Sequence, residues 1–255
     1  MLCDLDGVVW RAESVIPGAV DALKRLIDDG ARVWFVTNNS NRPVGDYASR
    51  LESLGLPANG QVLTSAMAAA TLVTNAETVM VCAGPGVVEA LADRGATVID
   101  GAMSNESVDA VIVGLHREFD YVRLANASAA VRAGARLIGT NHDPTFPTPR
   151  GEEPGGGSIL AAVATASART PTLAGKPHEP MAVLVRERLG ERFDPARTVM
   201  VGDRPSTDGR FAQRLGVRYW QVGLEMAGES EVDVPVTRRG PSLADLVASL
   251  SGGTR

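Results

Sequence analysis

Four short stretches of the chain carry residues whose types could do chemistry together. Asp4 and Asp6 stand two apart in Asp4-Leu5-Asp6-Gly7. On a regular strand, side chains two apart share a face and lie about 6.6 Å apart along the chain. One carboxylate can then attack while its neighbour handles protons, and Gly7 lets the backbone turn tightly beside a ligand. Thr37-Asn38-Asn39-Ser40 supplies a hydroxyl and amides, and Gly175-Lys176-Pro177 supplies an ammonium. Gly202-Asp203-Arg204 adds a carboxylate, with Asp208 five residues further on. Gathered carboxylates suit a hard divalent cation, and Mg²⁺ prefers a few of them together with waters and phosphate oxygens. Thr, Asn and Lys are fitting donors for phosphate oxygens. Taken singly, each stretch also reads as a strand end with a turn, or as a surface lysine. Their conjunction is what points to chemistry. Lys176 adds a compositional hint: of 25 basic residues only Lys24 and Lys176 are lysines. Lys puts a compact point charge where a guanidinium fork would not fit.

All but one of these stretches follow an apolar run. Leu2–Leu5, Val33–Thr37, Val79–Ala83, Ala110–Val113, Leu137–Gly139, Thr198–Val201 and Arg218–Val222 are rich in Val, Ile and Leu, lack polar alternation and end at Gly, Asn or Asp. Parallel strands buried on both faces read this way. Amphipathic stretches lie between them, stopped by Gly30, Gly55 and Gly216. A last helix opens on Ser242 and Asp245 in a capping-box-like spacing, and Ser65–Val73 and Met181–Leu189 read as further helices. Strand alternating with helix predicts an α/β, doubly wound parallel sheet. Ligands of such sheets bind beyond the carboxyl ends of the strands, where the carboxylates, the hydroxyl and the amides fall. Asn39–Pro43, Asn141–Gly157 and Leu224–Pro241 read as loops, Gly155–Gly157 as a source of flexibility, and the tail Ser251–Arg255 as frayed.

Composition narrows the function classes. The 255 residues are 44% hydrophobic and 22% charged, as in an ordinary globular protein able to bury a core. The net charge of −5 argues against a nucleic-acid binder. No run approaches the roughly 18 apolar residues of a membrane span, and the acidic N-terminus is unlike a signal peptide. Cys3 and Cys82 each sit in an apolar run and read as buried free thiols. A cytoplasmic protein with no membrane partner is expected.

The stretches Asp4-Leu5-Asp6-Gly7-Val8-Val9-Trp10, Val36-Thr37-Asn38-Asn39-Ser40, Gly175-Lys176-Pro177 and Val201-Gly202-Asp203-Arg204-Pro205-Ser206-Thr207-Asp208 resemble the four ordered motifs of the haloacid dehalogenase superfamily. The insert between the second and third is similar to the large α/β cap of the p-nitrophenyl phosphatase, phosphoglycolate phosphatase and glycerol-phosphate phosphatase branch. Val108–Leu115, Gly139–Pro144 and Pro154–Ser158 also resemble that branch. The resemblance implies a Rossmann-like core over residues 1–74 and 174–255, with a smaller inserted α/β cap over 75–173. It implies that Asp4 is a nucleophile forming an aspartyl-phosphate. Asp6 would protonate the leaving group and then deprotonate water. Mg²⁺ would sit on the carboxylates of Asp4 and Asp203 and the backbone carbonyl of Asp6, with Asp208 orienting that shell. Thr37, Asn38, Asn39 and Lys176 would hold the phosphoryl oxygens. Val8 stands where many relatives carry Thr, which removes neither a metal ligand nor a proton carrier.

The expected activity is a Mg²⁺-dependent phosphatase for a small phosphorylated metabolite such as glycerol phosphate, phosphoglycolate or p-nitrophenyl phosphate, in a chain that is a monomer or a homodimer. His142, in the long insert loop, is either a leaving-group contact or a solvated loop histidine, and His178, which follows Lys176, is a candidate for a place near the site. His116 reads as structural or surface. Gly84-Pro85-Gly86 lacks the third glycine and the lysine of a nucleotide loop. A glycosidase would need paired carboxylates but no Lys, Thr-Asn cluster or metal site. A non-catalytic phosphate-responsive switch would use an acidic cluster, a Thr and a Lys, but not a second Asp two residues after the first. Asp6→Asn separates it from an enzyme: turnover is lost while a switch stays phosphorylatable.

Overall fold

The computed structural model describes residues 1–103, 107–148, 151–223 and 232–251. The chain divides into two compact units, one of Met1–Thr37, Gly45–Leu63 and Lys176–Arg255 and the other of Asn38–Val44 and Thr64–Gly175. Each has its own sheet.

The first sheet has six strands, in the spatial order Arg238–Gly240, Arg218–Val222, Val199–Gly202, Leu2–Cys3, Trp34–Thr37 and Val62–Thr64. Leu2–Cys3 lies near the middle and pairs parallel with both neighbours: Leu2 with Met200 and Trp34, Cys3 with Val201 and Phe35. Parallel pairing puts the carboxyl ends of these three strands on one edge, so Asp4, Thr37 and Asp203 leave the sheet side by side. Leu2, Cys3, Phe35, Val36, Met200 and Val201 are wholly buried, as a central strand covered on both faces requires. Helices Ala19–Asp28, Val44–Ser53 and Arg210–Leu215 each stop within two residues of a glycine, Gly30, Gly55 and Gly216. At Gly30, φ is +89°, and the following Ala31 N–H reaches back to the Leu26 carbonyl at 2.8 Å. That closure needs a left-handed residue, which glycine supplies without a Cβ clash. Leu243–Ser251 begins as its Ser242-Asp245 spacing suggests: Ser242 Oγ accepts from the Asp245 N–H at 3.2 Å and donates to Asp245 Oδ2 at 2.6 Å.

The second unit is a five-stranded parallel sheet in the order Thr172–Leu173, Arg136–Gly139, Ala110–Val113, Thr78–Cys82 and Thr97–Asp100. Met80, Cys82, Val111 and Val113 meet Ala127 and Val131 of helix Tyr121–Ala133 and Leu160 and Val163 of helix Gly156–Ser167 in one core. The chain is therefore α/β throughout, a doubly wound sheet with a second α/β unit inserted between its parts.

Three sequence expectations need correcting. Asn141–Gly157 is not all loop: Thr145–Thr148 and Gly151–Pro154 form an antiparallel hairpin, and a helix starts at Gly156. A two-stranded ribbon has only edges, so Pro147 costs it no ladder that a central strand would need. Nor do Gly155–Gly157 provide slack. A Cβ on them would stand 2.5 Å from the Asp143 carbonyl oxygen, 2.8 Å from the Leu115 nitrogen and 2.3 Å from the His142 carbonyl carbon, so these glycines permit close packing. Of the Leu224–Pro241 loop, residues 224–231 lie outside the described residues and Arg238–Gly240 is a strand pairing with Trp220–Val222. The tail beyond Ser251 also lies outside them. Among the described residues, no helix is long and apolar enough to cross a membrane.

Candidate active site

Asp4 extends the central strand by one ladder bond, its N–H donating to the Val201 carbonyl at 2.9 Å. Its carboxylate is held at Oδ1 by the Leu5 N–H at 2.8 Å and by Lys176 Nζ at 2.9 Å. Two donors on one oxygen fix the rotation of the side chain. Lys176, 1% exposed, also donates to Asp208 Oδ1 at 2.7 Å. Asp208, fully buried, sits in a wide π-helical turn, Pro205–Gly209, whose Asp208 N–H donates to the Arg204 carbonyl at 2.8 Å. The Arg204 N–H returns to Asp208 Oδ2 at 3.2 Å. Asp4, Asp203 and Asp208 each bring a carboxylate oxygen within 4.8 Å of the others.

Glycines make this approach possible. A Cβ on Gly7, where φ is +87°, would fall 2.0 Å from Asp203 Oδ2. A Cβ on Gly202 would fall 2.1 Å from Asp208 Cγ. Neither position can carry a side chain while those carboxylates stay in place.

Burial dominates the electrostatics. It pushes the Asp4 carboxyl well above the usual range; Lys176 opposes the shift, and the charges of Asp208 and Asp203 add to it. Asp203 is pushed up to about 7, by burial first and by Asp208 next. Asp6 is raised by burial against the pull of Lys176, a hydrogen bond from Trp10 and the charges of Arg50 and Arg204. Burial would also discharge Lys176, but Asp208 and Asp4 outweigh it and raise its pKa. Three carboxylates (−3) and one ammonium (+1) leave −3 + 1 = −2 at the cluster when all are ionised. A divalent cation matches that excess, and oxygen donors suit Mg²⁺. The donor set therefore fits the metal.

The other sequence candidates are distributed as follows. Thr37, 1% exposed, ends the strand beside Leu2–Cys3 in the first unit. Asn38 and Asn39 fall in the second unit. There the Asn38 carbonyl accepts from Ser65 Oγ at 2.5 Å and Asn141 Nδ2 at 2.8 Å, while its amide donates to Asp143 Oδ2 at 3.5 Å. Asn39 Oδ1 accepts from the Asn41 N–H at 3.1 Å. His142 is exposed, just beyond the strand Arg136–Gly139. Sequence reasoning passed over Trp10 and Arg50. Trp10 stood inside a quoted motif and could have been weighed as a partner for Asp6, whereas nothing in the pattern around Arg50 singles it out.

A family model described as haloacid dehalogenase-like hydrolase matches residues 1–97, and a second of HAD-hydrolase-like type matches residues 173–246. The chain belongs to the haloacid dehalogenase-like hydrolases. Named members of this family resemble most of its length. Mouse chronophin is 37% identical over 229 residues, covering 85% of this chain and 78% of its own. The acid sugar phosphatase of Staphylococcus saprophyticus is 34% identical, covering 98% and 96%. The crystal structure of a Mycobacterium tuberculosis glycerol phosphate phosphatase in complex with magnesium is 33% identical, with a TM-score of 0.84, covering 96% of this chain and 75% of that one. A haloacid dehalogenase-like hydrolase with such relatives is a phosphatase.

Proposed function

We propose that the chain is a Mg²⁺-dependent phosphatase that hydrolyses a small phosphate monoester through an aspartyl-phosphate on Asp4. The observation that carries this reading is the Asp4–Lys176–Asp208 bridge beside Asp203, which presents one oriented, buried carboxylate within an anionic cluster. An oxygen of Asp4 forms a bond to phosphorus as the ester P–O bond breaks, and Asp6 gives its proton to the departing alkoxide. Water then attacks the same phosphorus, Asp6 takes the water proton, and the bond to Asp4 breaks to release phosphate. Burial, which raises the Asp6 pKa, lets it hold the proton that the first step requires. Lys176 and Thr37 donate to the phosphoryl oxygens. Asp4, Asp203 and the backbone carbonyl of Asp6 would hold Mg²⁺, with Asp208 orienting them, and the bound ion would supply positive charge to the phosphoryl group. The inserted region over 75–173 is the cap of this reading. Magnesium in a relative and the phosphatase names of others support the class.

The test is phosphate release from a panel of small phosphate esters with Mg²⁺ and with EDTA, using wild type and Asp4→Asn. Metal-dependent release that disappears in Asp4→Asn is expected. Release that survives Asp4→Asn, or is indifferent to EDTA, refutes the reading.

A further inference from the structure

We propose that Arg50 is a positioning residue for Asp6, acting through Trp10. Directly after the Asp4–Gly7 turn the chain makes a very short hairpin, Trp10 paired with Val15 and Arg11 with Ser14. Two residues a side cannot hold such a ribbon in water. Its tip also contains Ala12 at φ +51°, an unfavourable region for a residue with a Cβ. Arg50, projecting from helix Val44–Ser53, supplies what the hairpin lacks. Its Nη2 donates to the Ala12 carbonyl at 3.3 Å and the Glu13 carbonyl at 3.0 Å. Its guanidinium lies 4.1 Å from the centre of the Trp10 ring, well within cation–π range.

Trp10 passes this restraint on. It is 2% exposed, and its side chain hydrogen-bonds the Asp6 carboxyl. The indole N–H is the only donor a tryptophan side chain has, so the ring plane dictates where that bond points. The backbones are tied as well: the Gly7 N–H donates to the Trp10 carbonyl at 2.7 Å, and Asp6 and Trp10 form a bridge. The order of control is Arg50, then the indole plane, then the Asp6 carboxyl. This inference rests on Asp6 being the proton carrier of the proposed reaction.

The test compares Arg50→Met, Arg50→Lys, Trp10→Phe and the Arg50→Met/Trp10→Phe pair. An alkyl ester such as glycerol phosphate needs a proton on its leaving oxygen, whereas p-nitrophenolate departs without one. A misplaced proton carrier is therefore expected to lower kcat for glycerol phosphate about ten- to a hundredfold with little change in KM. The p-nitrophenolate burst that reports Asp4 phosphorylation should stay within about twofold. Trp10→Phe should show the same pattern, the double variant should be no worse than Trp10→Phe alone, and Arg50→Lys should recover part of the loss. An equal loss in the rate of Asp4 phosphorylation by the two esters, a loss mainly in KM, or additive effects in the double variant overturn the proposal. The indole N–H resonance of Trp10, identified by its absence in Trp10→Phe, gives a readout independent of turnover. It should move in both Asp6→Asn and Arg50→Met. A resonance that moves in Asp6→Asn but stays in place in Arg50→Met overturns the proposal, even if wild type hydrolyses neither ester and the phosphatase reading fails separately.

Discussion

Asp203→Asn should stabilise the metal-free protein at pH 8 and lose that advantage as the pH falls. The native carboxyl of Asp203 titrates at about 7 against an ordinary 3.8. Between those values the folded state holds a proton that the unfolded state has released, so stability falls as pH rises. The slope for one proton is about 1.4 kcal/mol per pH unit. Across the window, 7 − 3.8 is about three pH units, which sets an upper bound on the order of 4 kcal/mol. The cost is complete above pH 7 and absent below about pH 4. Two groups tilt the wild-type curve the other way. His116 and the Met1 amine are both lowered by burial, and each adds stability as pH rises. Taking the difference between wild type and Asp203→Asn cancels them. Losing Asp203 also relieves Asp4, which its charge helps to raise, so the coupling acts in the same direction. The assay is urea unfolding in EDTA from pH 5 to 8, repeated with excess Mg²⁺. In EDTA the variant should lead by several kcal/mol at pH 8 and by only about 1–2 kcal/mol at pH 5. With Mg²⁺ the order should close or reverse, because a cation bound only by the folded state stabilises it. A variant less stable than wild type at pH 8 in EDTA, or a difference that ignores pH, would refute the argument that Asp203 is held ionised at a cost.

Two further outcomes follow from packing. Gly7→Ala places a Cβ 2.0 Å from Asp203 Oδ2 at a backbone angle alanine resists. It should cost about 1–3 kcal/mol in strain and weaken Mg²⁺ binding measured by calorimetry; unchanged binding would show that Asp203 need not lie against that turn. Burial pushes the thiols of Cys3 and Cys82 up, the latter to about 12. A thiol reagent at pH 8 should therefore modify neither in the native protein and both in guanidinium, and fast native labelling of either would contradict its packing.

How far the fold was readable depended on strand position. Strands of the two sheet interiors, such as Ala110–Val113 and Val199–Gly202, are buried at every residue, and their continuous apolar runs announce them. Thr97–Asp100 lies at a sheet edge, with a half-exposed, mixed sequence that carries no such run. Thr172–Leu173 is too short for any period to show. The hairpin in 145–154 was hidden for a different reason. Proline and glycine weigh against strand in a local reading, yet a two-stranded ribbon tolerates both because neither strand is flanked on both sides.

The site divides along the same line. Asp4 and Asp203 were legible because charge at the end of an apolar strand is costly unless something uses it, Asp208 because it follows Asp203 by five residues, and the structure gathers the three within 4.8 Å. The ammonium that meets Asp4 and Asp208 comes from Lys176, one of only two lysines in the chain. The restraint on Asp6 was not legible. Trp10 lies four residues from Asp6, so local sequence could have suggested the pair. Arg50 lies 40 residues beyond Trp10 on a helix face where arginine is the ordinary basic residue of this chain. Its partners are two backbone carbonyls and a ring, and a carbonyl carries no sequence information at all. Groups that bind a metal or a phosphate must be particular residue types, so their chemistry marks them. A group that holds a loop by its backbone can be placed only by the fold.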